Sequence, residues 1–106
     1  MKFPKQIQDR IARGMGCGSG IGPGWMGLVV ELDAKLAELH SDYVIDQIKE
    51  KFGSLRFYAT GVGEDGQKLI HEAEVKSAEI CEDCGQPGKS RSGGWVRTLC
   101  DKHANK

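Results

Sequence analysis

Four residues near the C-terminal end carry the donors best suited to chemistry: Cys81 and Cys84, then Cys100 and His103, spaced C-x2-C-x15-C-x2-H. Two residues between the members of each pair let a tight turn aim both donors at one ion. Four soft or borderline donors suit tetrahedral Zn2+. A full set of four protein donors leaves no open position for a reactive water, so the expected ion is structural, one per chain. Gly85, directly after the first pair, relieves crowding where backbone amides bend toward thiolates. Two other readings of the cysteines are buried inert thiols and a redox dithiol, although the βαβ surroundings of a redox Cys-x-x-Cys are missing. Cys17 is left over as a lone thiol among glycines, and His40 and His71 stand alone at helix surfaces or ends. No paired carboxylates, nucleophile elbow or Ser-His-Asp arrangement is visible, and residues 88–99 hold no histidine for a His-Me nuclease. The expectation is a protein that is not an enzyme.

The elements that must position these donors follow from their surroundings. Between the two pairs, residues 89–92 and 95–98 flank Gly93-Gly94, a dipeptide suited to a hairpin turn. Knuckle, hairpin, then Cys-x-x-His at the start of a short helix is the order of a treble-clef zinc module, expected over residues 81–106. Lys89, Arg91, Trp95 and Arg97 make this hairpin basic and aromatic, able to contact phosphates and stack on a base. The alternative is a solvated hairpin with Trp95 packed on the knuckle.

Residues 1–80 form the expected body. Phe3, Ile7 and Ile11 lie four apart, one apolar stripe on a short helix. In GMGCGSGIGPGW every even position from 14 to 24 is glycine. A dinucleotide loop needs its third glycine at an odd offset from the second, and here that offset always lands on another residue. The Walker pattern fails too, because Asp83 stands where the glycine before Gly88-Lys89-Ser90 should be. No nucleotide is expected at this run, and residues 14–24 read as a hinge. Trp25, Leu28, Val29, Leu32, Leu36 and Leu39 mark an amphipathic helix of about four turns, ended by His40 and Ser41, with Glu31 and Lys35 paired outside. Residues 43–52 suit either a helix, through Val44, Ile48 and Phe52, or a strand with Val44, Asp46, Ile48, Glu50 and Phe52 on one face. We take the strand, turning at Gly53-Ser54 into Leu55-Arg56-Phe57-Tyr58. After a loop over 61–66, a second helix should bury Leu69, Ile70, Ala73 and Ile80, with Glu72 and Lys76 outside.

The whole is expected to be α+β, with helices, a small antiparallel hairpin and the zinc module in one domain of 106 residues. A hydrophobic content of 39% diluted by 15 glycines predicts a thin core that a metal staple would help. Fifteen basic and fifteen acidic residues cancel, so no global charge draws the chain to nucleic acid or an acidic membrane. The distribution is uneven: residues 1–30 hold four basic and one acidic (+3), 31–80 six and eleven (−5), 81–106 five and three (+2). No apolar run reaches the length of a membrane span, and MKFPKQIQDR lacks a signal peptide's apolar region. A cytoplasmic protein is expected, where reduced thiols serve as metal ligands rather than disulfides.

Two stretches, QIKEKFGSLRFY at 47–58 and GGWVRTLC at 93–100 within the Cys/His tail, resemble segments of small zinc-binding proteins of phages, prophages and bacteria. These often carry a Gly-Trp before an amphipathic helix, as Gly24-Trp25 does here. The resemblance spans residues 24–103; the long glycine alternation departs from that family. It implies a phage accessory context in a host cytoplasm and brings no activity or catalytic residue. An acidic middle can occupy a basic groove on another protein. The expected function is therefore a non-enzymatic accessory protein that binds a protein partner, such as an inhibitor of a host defence complex like a CRISPR effector. The rival is a small nucleic-acid-binding zinc-finger protein.

Overall fold

Trp25 closes a single 3-10 turn (Pro23–Trp25) and caps α2 (Met26–Leu39) in the computed structural model, which describes residues 3–11, 21–92 and 95–104. Val29, Leu32 and Leu36 recur at helical spacing and are buried, whereas Leu39 ends the stripe 51% exposed. Glu31 and Lys35 pair outside at 3.2 Å. The apolar face of α2 packs with α3 (Gly63–Ser77) over a two-stranded sheet, so the architecture is α+β.

Residues 43–52 are mostly strand. β1 (Val44–Lys51) pairs antiparallel with β2 (Ser54–Thr60) through the turn Phe52-Gly53, one residue earlier than the Gly53-Ser54 turn read from the sequence. Strict alternation fails in β1. The register shifts between Ile45 and Gln47, and Ile45 and Ile48 are both buried. A bulge adds one residue, and with a side-chain period of two that reverses which positions face inward. Val44, before the bulge and on the expected inner face, is exposed for that reason, whereas Phe52 is exposed because it sits in the turn.

α3 begins inside the segment read as a loop, with Glu64 and Asp65 in its first turn, where the helix dipole favours acids. It buries Ile70 and Ala73 as expected. Its other inward positions are Gly66 and Ser77, while Leu69 is partly buried and Ile80 lies beyond the helix, bridged to Pro87. Two α3 side chains close the outer edge of β2. Ser77 Oγ accepts the Leu55 N–H at 2.8 Å and Glu74 Oε2 accepts the Phe57 N–H at 2.9 Å.

The N-terminal stripe divides. Phe3 and Ile7 are buried around α1 (Lys5–Gln8), but Ile11 leaves the helix and makes a parallel bridge to Ile45, whose amide donates to the Arg10 carbonyl at 2.8 Å. Arg10 Nε lies 2.8 Å from buried Asp33, and the Tyr43 hydroxyl donates to the same carboxylate. Burial, then that bond, holds the Tyr43 phenol far above its usual range, so it stays a donor. Residues 14–20 of the glycine run, Cys17 among them, lie outside the described residues. No helix among the described residues is long and apolar enough to cross a membrane.

Candidate metal centre

Cys81 follows the end of α3, and the knuckle CEDCG turns back at once. Gly85 N–H donates to the Cys81 carbonyl at 3.0 Å, with Gly85 at φ +83, a conformation glycine adopts without penalty. β3 (Lys89–Arg91) then pairs antiparallel with β4 (Arg97–Leu99), and β4 delivers Cys100 to the start of α4 (Asp101–Ala104), which carries His103. The strand pairs Lys89 with Leu99 and Arg91 with Arg97, leaving five residues between strands rather than a two-residue turn. Gly93 and Gly94 lie outside the described residues.

This order brings all four predicted ligands together. Their donor atoms lie within 4.8 Å of one another, compatible with one metal ion. Cys84 and Cys100 sulfurs are 3.7 Å apart, and Cys81 Sγ is 3.6 Å from His103 Nδ1. With metal–sulfur bonds of about 2.3 Å and metal–nitrogen bonds of about 2.0 Å, tetrahedral edges are about 3.8 and 3.5 Å. Those two separations fit, and the Cys100–His103 edge is tighter at 3.1 Å. Burial pushes the Cys81 thiol up, but the amides of Cys100, Cys84 and Asp83 outweigh it and bring it down to about 6. The Gln86 amide draws Cys84 down, yet burial and the sulfurs of Cys81 and Cys100 leave it above the usual range. Crowded thiolates that suppress one another's ionisation are what a cation relieves.

Sequence reasoning missed what holds the knuckle in place. Gly24 N–H donates to the Glu82 carbonyl at 2.7 Å, and Trp25 Nε1 donates to the Ile80 carbonyl at 2.9 Å. A Cβ on Gly22 would stand 2.5 Å from the Glu82 carbonyl oxygen; one on Gly24 would stand 2.6 Å from the Gly85 nitrogen and strike the Cys81 carbonyl. The end of the expected hinge is therefore a packed contact, glycine being required there for close approach rather than freedom. Glu82 is buried, accepts the Thr98 N–H at 2.7 Å and is raised by that burial, against the Thr98 amide and Arg97. Thr98 Oγ1 donates to the Gly53 carbonyl at 2.5 Å, joining β4 to the β1–β2 turn. A charged residue inside a Cys-x-x-Cys was the one available signal for Glu82.

The expected basic surface is rearranged. Arg91 binds Asp101 at 2.7 Å, and Arg97 binds Asp83 at 2.8 Å with Glu82 at 3.8 Å. Both arginines fasten the module to itself. Trp95 is 73% exposed, so it does not pack on the knuckle. Lys89 is exposed. His40 is tied to Asp65 at 2.8 Å, linking the end of α2 to the start of α3, while His71 is exposed on α3. Comparison with protein-family models, curated proteins and solved structures returned no match, so the site is read from its own geometry.

Proposed function

We propose that this chain is a non-enzymatic binding protein whose C-terminal part is held in shape by one structural zinc ion on Cys81, Cys84, Cys100 and His103. The observation that carries it is the convergence of four donor atoms within 4.8 Å at near-tetrahedral separations. Three thiolates and an imidazole favour zinc over the oxygen-seeking cations, and a complete donor set gives the ion a structural role. Protein purified without chelator should contain about one zinc per chain, as four ligands allow. Cys84 is exposed, so Cys84→Ser removes a ligand with little loss of packing, and it should abolish metal retention and lower the melting temperature. Metal-free protein with reduced thiols and an unchanged melt would overturn the reading.

A protein partner with a basic groove is the use we assign to the acidic helices. Glu31, Glu38, Glu64, Asp65 and Glu72 are all exposed on α2 and α3, and such a surface complements a basic nucleic-acid groove on another protein. The phage accessory context stands with this reading, on the resemblance alone.

A further inference from the structure

The β1–β2 sheet has one face in the core and one toward solvent. Leu55 and Phe57 are buried, so Arg56 and Tyr58, which alternate with them, point outward. In register, Lys49 opposes Arg56, Gln47 opposes Tyr58 and Lys51 opposes Ser54; directly opposed residues share a face. Lys49 Nζ sits 5.8 Å from the centre of the Tyr58 ring and Lys51 Nζ 5.9 Å from that of Phe52, in keeping with this. Among the described residues, Lys49, Lys51 and Arg56 make no ion pair. Glu50 opposes inward Leu55 and accepts the Gly53 N–H at 2.6 Å, so it does not neutralise them. Asp46, at the far end of the strand, accepts the Thr60 hydroxyl at 2.6 Å. Three of the six cations in the acidic middle of the chain thus collect on one sheet face.

Phe52 is the second, independent observation. It stands at φ +53, followed by Gly53 at φ +79, and is 72% exposed. A two-residue turn with both residues left-handed favours Asn-Gly or Gly-Gly; a bulky aromatic there is strained. Packing within the chain does not offset that strain, because the ring is in solvent. Val96, next in the chain to the 73% exposed Trp95, has Cγ1 3.3 Å from where a Cβ on Gly53 would lie. The exposed Phe52 ring therefore borders a face of cations without ion pairs, and the exposed Trp95 is one residue from a contact with the same turn.

We propose that this outer sheet face, with Phe52 at its tip and Trp95 beside it, binds a single strand of nucleic acid. Lys49, Lys51 and Arg56 take phosphates while Phe52 and Trp95 stack on bases, the combination that sequence-tolerant single-strand binders use. A duplex keeps its bases stacked on one another and offers these rings nothing. An acidic protein would satisfy the cations but not account for a strained aromatic held in solvent. The inference goes beyond the zinc reading and rests on the sheet.

The test uses the full chain as purified and a fluorescein-labelled oligothymidylate of about a dozen nucleotides, the span of a small binding domain. Anisotropy should report binding at low salt, with a log–log salt slope near −2 for three phosphates at about 0.7 each. Replacing Lys49, Lys51 and Arg56 together by Ala should flatten the slope. Phe52→Asn relieves the turn, so it should melt at the same temperature or higher yet bind about fivefold to a hundredfold more weakly. Lys76→Ala, on α3, should bind as the parent does. The proposal is overturned if folded protein leaves the oligonucleotide free at low salt, or if Phe52→Asn binds unchanged. It is overturned equally if polyglutamate displaces the oligonucleotide at matching concentration, the mark of an acidic protein partner. Zinc content measured on the same samples separates the two readings, since metal-free protein that still binds would sink only the staple.

Discussion

Gly24 and Gly27 are three residues apart and face opposite consequences for the same added methyl. At Gly24 a Cβ would be driven into the backbone of the knuckle, 2.6 Å from the Gly85 nitrogen. At Gly27, exposed in the first turn of α2, nothing lies within 4 Å. Backbone cannot move aside as a flexible side chain can, so Gly24→Ala should cost about 3 kcal/mol or more and lower the melt by about 12 °C or more. Gly27→Ala should raise stability by about 0.5–1 kcal/mol, through helix propensity and a less mobile unfolded chain. Thermal melts of the two variants check both signs. At this scale the convergence of Cys81, Cys84, Cys100 and His103 was legible, because the spacing within each pair is local. The role of Gly24 was not, because its cost arises from Cys81 and Gly85, far away in sequence. The ion pairs of Arg91 with Asp101 and Arg97 with Asp83 were hidden for the same reason, and they turn an apparent phosphate surface into internal fastening.

Among the elements, α3 does more than bury an apolar stripe. A two-stranded sheet leaves half its edge amides without partners, and α3 supplies acceptors to successive outward amides of β2, through Ser77 to Leu55 and Glu74 to Phe57. Ser77 is fully buried, so Ser77→Ala leaves the Leu55 N–H unpaired away from water, at about 1–3 kcal/mol. Glu74 is partly buried, and Glu74→Ala should cost less because water can replace the lost acceptor. Denaturant midpoints should rank the two, and amide exchange should quicken at Leu55 and Phe57 respectively. The helices were readable because their period of 3.6 persists over several turns, and β2 because its aromatic-rich run is bounded by Gly53 and Gly61. The bulge after Ile45 was not. Val44-Ile45-Asp46-Gln47-Ile48 breaks strand alternation in a way that equally suits a helix, and the register is set by the bridge of Ile45 to Ile11 and by the core beneath.

For the molecule as a whole, neutrality concealed a separation of charge. The net −5 of residues 31–80 is an average over acidic helices and a sheet face bearing Lys49, Lys51 and Arg56, and only the fold sorts them. The metal centre bears on this arrangement through three ties: Gly24 to Glu82, Trp25 to Ile80 and Thr98 to Gly53. On the proposed zinc reading, removing the ion should therefore loosen residues 81–104 first, then weaken the seat of Trp25, while the buried contacts of α2, α3 and the β1–β2 sheet persist longer. The pH dependence has a definite sign. Bound cysteines are thiolates, whereas cysteines of the unfolded chain hold their protons up to about pH 8.5. The unfolded state thus binds more protons, and zinc-linked stability rises with pH and falls on acidification. In amide exchange followed from neutral to mildly acidic pH, corrected for the intrinsic rates, protection in β4 and at Cys81 should be lost in step with zinc release, ahead of protection in α2 and β2. A chelator at neutral pH should reproduce that order. Loss of protection everywhere at once would mean that zinc is part of the global folding unit, and β4 protection that survives zinc release would remove the staple from the account of stability.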